Sequence, residues 1–202
     1  MVKGYRVGRG ARPALNLKPE TWNLKLYKVM KYFTISEMLY SPTAVKRGIW
    51  NGCDREKEDN LEALVDNVLD PVRTRYGKAV HVSSGYRCEQ LNTLIHGALG
   101  SQHLRGEAAD IYTDAGPQGN LELARLIIAG GKFDQVILEN VPGTSLMPQW
   151  VHVSWKRGGG NRQEIRKKVA GSSQYPLLTA AELSEVRGLR SDVRGNSGRA
   201  AV

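Results

Sequence analysis

The sequence predicts an α+β fold, a small antiparallel sheet packed with helices. Three observations lead there. Short strand-like runs recur at Ala79–Ser83, Ala108–Tyr112, Phe133–Glu139 and Val151–Trp155. Longer stretches between them carry apolar residues at helical spacing. Two of the strand runs carry a residue suited to metal binding, Asp110 in one and His152 in the other, and these join His103 in a ligand-like set.

The elements follow in chain order. Residues 1–31 mix Gly4, Gly8, Gly10 and Pro13 with Arg6, Arg9 and Arg12, an extended basic arm. Alternation at Trp22, Leu24 and Leu26 suggests a strand packing on the core. A short helix begins near Glu37, capped by Ser36 or by Thr34, whose spacing to Glu37 is that of a capping box. Leu61, Leu64, Val65, Val68 and Leu69 continue a helical pattern past Pro71 toward Tyr76, with Asn60 expected to cap its start and Gly77 its end. Cys88–Ile95 and Leu121–Ile128 read as further helices. Lys156 to Gly160 reads as a flexible linker, followed by Arg162, Arg166, Lys167 and Lys168. Thr179, with Glu182 three residues on, would cap a last helix, and the Arg/Gly/Ser-rich end from Arg187 reads as disordered. The division is thus a basic arm over 1–31, a core over 32–155 and a basic, partly disordered extension over 156–202.

The chemistry sits in the pattern S-x-H-x-x-G-x-A-x-D, from Ser101 to Asp110, with W-x-H at Trp150 to His152. Two imidazoles and a carboxylate suit a catalytic zinc, since three protein ligands leave the fourth tetrahedral position open. Such an ion acidifies water and polarises a carbonyl, so the pattern points to metal-assisted hydrolysis. Strand alternation puts Ala108, Asp110 and Tyr112 on one face, and small Ala108 leaves room beside the ion. Gly106 permits the reversal between His103 and the strand, because glycine tolerates positive φ. His152 would arrive from a neighbouring strand. His81 and His96 read as structural: the first lies in an apolar strand, the second at a helix end before Gly97.

These motifs resemble those of the zinc D-Ala-D-Ala carboxypeptidases and their relatives, the phage peptidoglycan endopeptidases, which share a fold with the Hedgehog signalling domain. The resemblance runs from about Tyr32 to Trp155. It includes Phe33–Met38, Ser41–Ala44, Leu69–Arg73, Ser83–Arg87, His103–Asp110, Phe133–Glu139 and Trp150–Ser154. It implies that His103, Asp110 and His152 bind zinc, and that Arg87, with Ser84 and Tyr86, faces the substrate. Arg87 would hold a carboxylate or a developing oxyanion; its structural alternative is an ion pair, for instance with Glu89. Ser84 either orients that site or opens a turn. Many members place a catalytic glutamate three residues before the last histidine. Gln149 stands there and cannot act as a base. The best substitute is Glu139, which a hairpin with its loop over about 140–149 would set beside His152, ready to move protons; its structural alternative is an exposed carboxylate at the strand end.

Charge divides the chain as the motifs do. Residues 1–31 carry eight Lys/Arg and one Glu (+7), residues 32–155 eleven basic and fifteen acidic (−4), and residues 156–202 ten and four (+6), within an overall +9. Four readings of the basic flanks stay open: solvation, attachment to anionic envelope polymers, phosphate contacts with nucleic acid, and docking on a virion protein. The tail has too few aromatics for a base-stacking platform. No run of 18 apolar residues suggests a transmembrane segment, and the first residues do not read as a signal peptide. Cys53 and Cys88 are too few and too distant for a metal motif and read as free thiols.

The expectation is a zinc peptidase acting on peptidoglycan stem peptides as a D-Ala-D-Ala carboxypeptidase or endopeptidase. It would be phage-encoded, made in the host cytoplasm and active at the bacterial wall, free or on a virion. The alternative is a non-catalytic virion or structural protein that keeps the zinc fold and binds nucleic acid or a capsid or tail partner through its flanks.

Overall fold

The computed structural model describes residues 30–188. The expected strand around Trp22–Leu26 and the tail beyond Gly188 lie outside the described residues. Helix α1 (Ile35–Leu39) is started by Thr34, which exchanges both capping-box hydrogen bonds with Glu37, so Thr34 and not Ser36 is the cap. Ser41 caps α2 (Pro42–Arg47). The next helix starts earlier than expected. Asp54 caps α3 (Arg55–Leu64), while Asn60 lies within it and donates to the Arg105 carbonyl instead.

Pro71 does not end this helix. A π-helical turn (Val65–Leu69) precedes α4 (Asp70–Tyr76), whose end is marked by Gly77 at φ +73°. Proline lacks an N–H and crowds the carbonyl four residues back, and a widened turn relieves both. Strand β1 (His81–Ser84), α5 (Glu89–Leu94), a 3-10 turn (Gln102–Arg105) and β2 (Ala108–Tyr112) follow. Then come α6 (Gly116–Gly130), β3 (Gln135–Val141) and β4 (Trp150–Ser154), and finally β5 (Glu164–Val169) and α7 (Ala180–Val186). Thr179 and Glu182 form the expected capping box on α7.

The sheet order is β1-β2-β4-β3-β5. The first four strands pair antiparallel as expected, but β5 pairs parallel with β3. Thus the linker reading of Lys156–Gly160 does not hold: the chain turns there and re-enters the sheet at its edge. A buried carboxylate makes this possible. Asp134, fully shielded from solvent, accepts from Arg162 Nη2 at 2.6 Å and from the Arg162 backbone N–H at 2.9 Å, and pairs with Lys156 Nζ at 3.1 Å. Gln102 donates to it at 3.1 Å from the 3-10 turn. Burial opposes the charge on Asp134, but these donors hold its carboxyl far below the usual range.

Strand alternation divides the sheet into two faces. Ala109, Ile111, Val136, Leu138, Val151, Val153 and Ile165 join one apolar core with Leu61, Leu64, Val68, Leu123 and Ile127 of the helices. A fully buried aliphatic side chain of this kind contributes about 1.5–3 kcal/mol. The opposite face carries Asp110, His152, Glu139, Arg166 and Lys168 and floors an open cleft of about 870 Å³. Among the described residues no helix is long and apolar enough to cross a membrane, and Cys53 and Cys88 are free thiols.

Candidate active site

Register brings the ligand candidates together. Asp110 on β2 lies directly opposite His152 on β4, and Ile137 on β3 flanks His152 from the other side. Directly opposed residues on one face approach within about 5 Å at Cβ. His103 arrives from the 3-10 turn, which Gly106 closes at φ +69°. A Cβ on Gly106 would also lie 2.4 Å from the Lys57 carbonyl oxygen, so the position needs glycine for space as well as for φ.

His103 Nε2, His152 Nδ1 and Asp110 Oδ1 form a triangle with sides of 3.2, 3.0 and 3.3 Å. A tetrahedral zinc with bonds of about 2.0–2.1 Å needs ligand separations of about 3.3–3.4 Å, so the three atoms stand nearly as the ion requires. All three residues are buried. The His103 ring is fixed by its other nitrogen: Nδ1 donates to the Gly85 carbonyl at 2.6 Å, which leaves Nε2 as a bare lone pair. Burial pushes the His103 imidazole toward its neutral form, against the pull of Asp110. Burial also opposes the Asp110 charge, but His103 and His152 hold that carboxyl well below the usual range. A neutral His103 imidazole and an ionised Asp110 carboxylate are forms that a divalent ion binds, and the three atoms have the spacing it needs, so the residues fit zinc.

Gly85 supplies its carbonyl because it lies against α1. A Cβ there would stand 2.2 Å from the Met38 carbonyl oxygen, which accepts the Tyr86 N–H at 2.8 Å. Asn51 secures the same loop, donating to the carbonyls of Leu39 (2.8 Å) and Tyr86 (3.0 Å) and accepting from the Cys88 N–H (2.8 Å).

Arg87 lines the cleft, with Nη2 on Asp110 Oδ2 at 2.5 Å and Nε on Ser84 Oγ at 2.7 Å. Its ion pair is therefore with the Asp110 carboxylate and not with Glu89. Ser84 holds Arg87 in orientation and does not itself line the cleft. Tyr86 departs from the expected substrate-facing position. It is 7% exposed and packs in the apolar core, because the chain past β1 turns its ring to the side opposite Arg87.

Glu139 lies on β3 opposite Trp150, one strand-step from His152, as the hairpin reading expected. It lines the cleft, is 8% exposed, and its Oε2 has no hydrogen-bond partner. Burial, then the Asp110 charge, pushes its carboxyl up, and His152, Lys168 and Arg87 offset this only in part. Gln149 is exposed, its backbone N–H donates to the Glu139 carbonyl, and its side chain lies outside the cleft. The glutamine at that position thus removes no carboxylate from the cleft.

His81 is outside the cleft, near Asp114 at 3.0 Å. His96, expected only at a helix end, adopts φ +57° and sits on the cleft rim. The wall formed by Arg162, Arg166, Lys168 and Tyr175 was not foreseen. Its available signal was the alternation of Ile165 and Val169 with charged neighbours, a pattern hidden by the density of Lys and Arg.

Comparison with protein-family models matches residues 31–154 to the family described as peptidase M15. No curated protein matches the chain.

Proposed function

Because the chain belongs to the peptidase M15 family, a family of zinc metallopeptidases, we propose that it hydrolyses peptide bonds in the stem peptides of bacterial peptidoglycan. The observation that carries this reading is one cleft holding both a zinc-sized ligand triangle and a buried carboxylate with an unpartnered oxygen. His103, Asp110 and His152 would hold the ion. When bound, zinc supplies Lewis acidity toward a water and a peptide carbonyl.

The remaining work falls to the chain's own side chains. Glu139 takes a proton from the attacking water at its free Oε2 and delivers it to the leaving amine, a role suited to a carboxyl with a raised pKa. Arg87 keeps Asp110 in place through one N–H. Its donors beyond those on Asp110 and Ser84 serve a substrate carboxylate or the developing oxyanion. Ser84 fixes that guanidinium. The Gly85 carbonyl keeps His103 in the ligating tautomer.

We assign the site of action to the bacterial wall, in the manner of a phage-encoded wall-degrading enzyme. The test is incubation of zinc-loaded protein with purified peptidoglycan, with and without chelator, and mass spectrometry of the products. Chelator-sensitive release of D-alanine identifies a carboxypeptidase, and release of larger stem fragments an endopeptidase. No product from several wall chemistries, with zinc still bound, would overturn the hydrolase in favour of a binding role for the same fold.

A further inference from the structure

The family match ends at Ser154, yet the cleft does not. Its far wall comes from β5 and the segment leading to Tyr175, beyond the matched residues. Six cationic side chains line the cleft: Arg87, Arg105, Lys156, Arg162, Arg166 and Lys168. Five are held by carboxylates. Arg87 pairs with Asp110, Arg105 with Glu107, Lys156 and Arg162 with Asp134, and Arg166 with Glu164. Arg166 is further tied to the Tyr175 carbonyl at 2.7 Å.

Lys168 differs. Among the described residues it has no carboxylate within ion-pair distance, and its ammonium lies over the Tyr175 ring, 5.1 Å from the centroid. It is half-buried on the cleft-facing side of β5, close enough to Glu139 and Asp110 to feel both charges. The Tyr175 contact raises its pKa, so it remains a full cation. A partly desolvated ammonium on a substrate cleft, steadied by an aromatic face and lacking an anion, is a place where an anionic ligand group gains most.

We infer that Lys168, seated on Tyr175, forms a subsite for a free carboxylate of the substrate peptide, and that β5 supplies this selectivity to the cleft. The inference rests on the peptidase reading above. Stem peptides offer such a group at the C-terminus and at the glutamyl α-carboxyl, and the chemistry at Lys168 is the same for either.

The experiment uses the full chain and three synthetic stem pentapeptides: one with free carboxylates, one amidated at the C-terminus, and one amidated at the glutamyl α-carboxyl. Dissociation constants are read by calorimetry in chelator, where no turnover intervenes, and kcat and KM on the zinc-loaded chain. One amidation is expected to weaken binding about ten- to a hundredfold, the range of a charge-assisted hydrogen bond, and so to identify the carboxylate. Lys168→Met should erase that difference to within about twofold, and Lys168→Arg should restore most of it. Equal losses on all three peptides in Lys168→Met would make Lys168 a tuner of Glu139 and overturn the subsite. So would an unchanged preference, or no binding of any peptide by the unmodified chain. Binding selectivity that depends on Lys168 without any chelator-sensitive cleavage would instead sink the hydrolase and leave the subsite standing.

Discussion

Replacing Glu139 by glutamine should have two effects of opposite sign. The side chain keeps its shape, so the cleft is unchanged, but the proton acceptor is gone. Loss of a positioned general base lowers kcat by about 10²–10⁴, or about 2.7–5.4 kcal/mol of barrier. Zinc content should not change, because Glu139 is not among the three residues that could hold the ion. Stability should rise. Glu139 is 8% exposed with an unpartnered Oε2, and a buried acceptor left unmet costs about 1–3 kcal/mol. An amide removes the charge but not the polarity, so about 1 kcal/mol of this is recovered, a melting shift of about 2–4 °C for a domain of this size.

The pH dependence has a definite sign. The folded carboxyl is raised above its unfolded value, chiefly by burial, so the protonated form is the better tolerated one. The unmutated protein has its full stability below the unfolded value, near pH 4.3, and loses the Glu139 contribution as pH rises through the folded pKa. The advantage of Glu139→Gln should therefore be present at neutral pH and vanish below about pH 4. Melting curves in chelator across that range, beside kcat on peptidoglycan fragments and zinc content by atomic emission, make the test. A variant that retains kcat within threefold would refute Glu139 as the base. A variant that melts lower at neutral pH would refute the burial argument.

Three further perturbations are informative. Arg162→Ala removes one charged donor from the fully buried Asp134, which keeps Lys156 and Gln102, and because the guanidinium is half-exposed should cost about 1–2 kcal/mol in denaturant unfolding; since the Asp134 pKa is depressed, that deficit should be present above about pH 4 and shrink as the pH falls further. Gly85→Ala places a methyl 2.2 Å from the Met38 carbonyl oxygen and moves the carbonyl that holds His103, so zinc affinity by competition with a chelating dye should fall about 10–100-fold. Zinc at 100 times its Kd should stabilise the chain by about 2.7 kcal/mol, a melting shift of about 5–11 °C that His152→Ala abolishes.

The cluster that could hold a metal was legible because its chemistry is local. Two histidines and an aspartate at strand and turn positions, with Gly106 and Ala108 between them, imply a metal whatever the rest of the fold does. Capping at Thr34 and Thr179, the pass through Pro71, and the hairpin that sets Glu139 near His152 were also written in short-range patterns, since caps, turns and alternation act over a few residues. Three things needed the tertiary structure. Arg87 meets Asp110 and not Glu89 because the chain folds back to join positions 23 apart in the sequence. Tyr86 joins the core because the turn after β1 faces it toward the helices. The run from Glu164 to Val169, so basic that it reads as a solvated extension, becomes a sheet strand because a distant buried carboxylate, Asp134, neutralises Arg162 and Lys156 at its entrance. Charge that repels a chain from the core in isolation is matched only when the fold supplies its counter-charge, and no local pattern announces that partner.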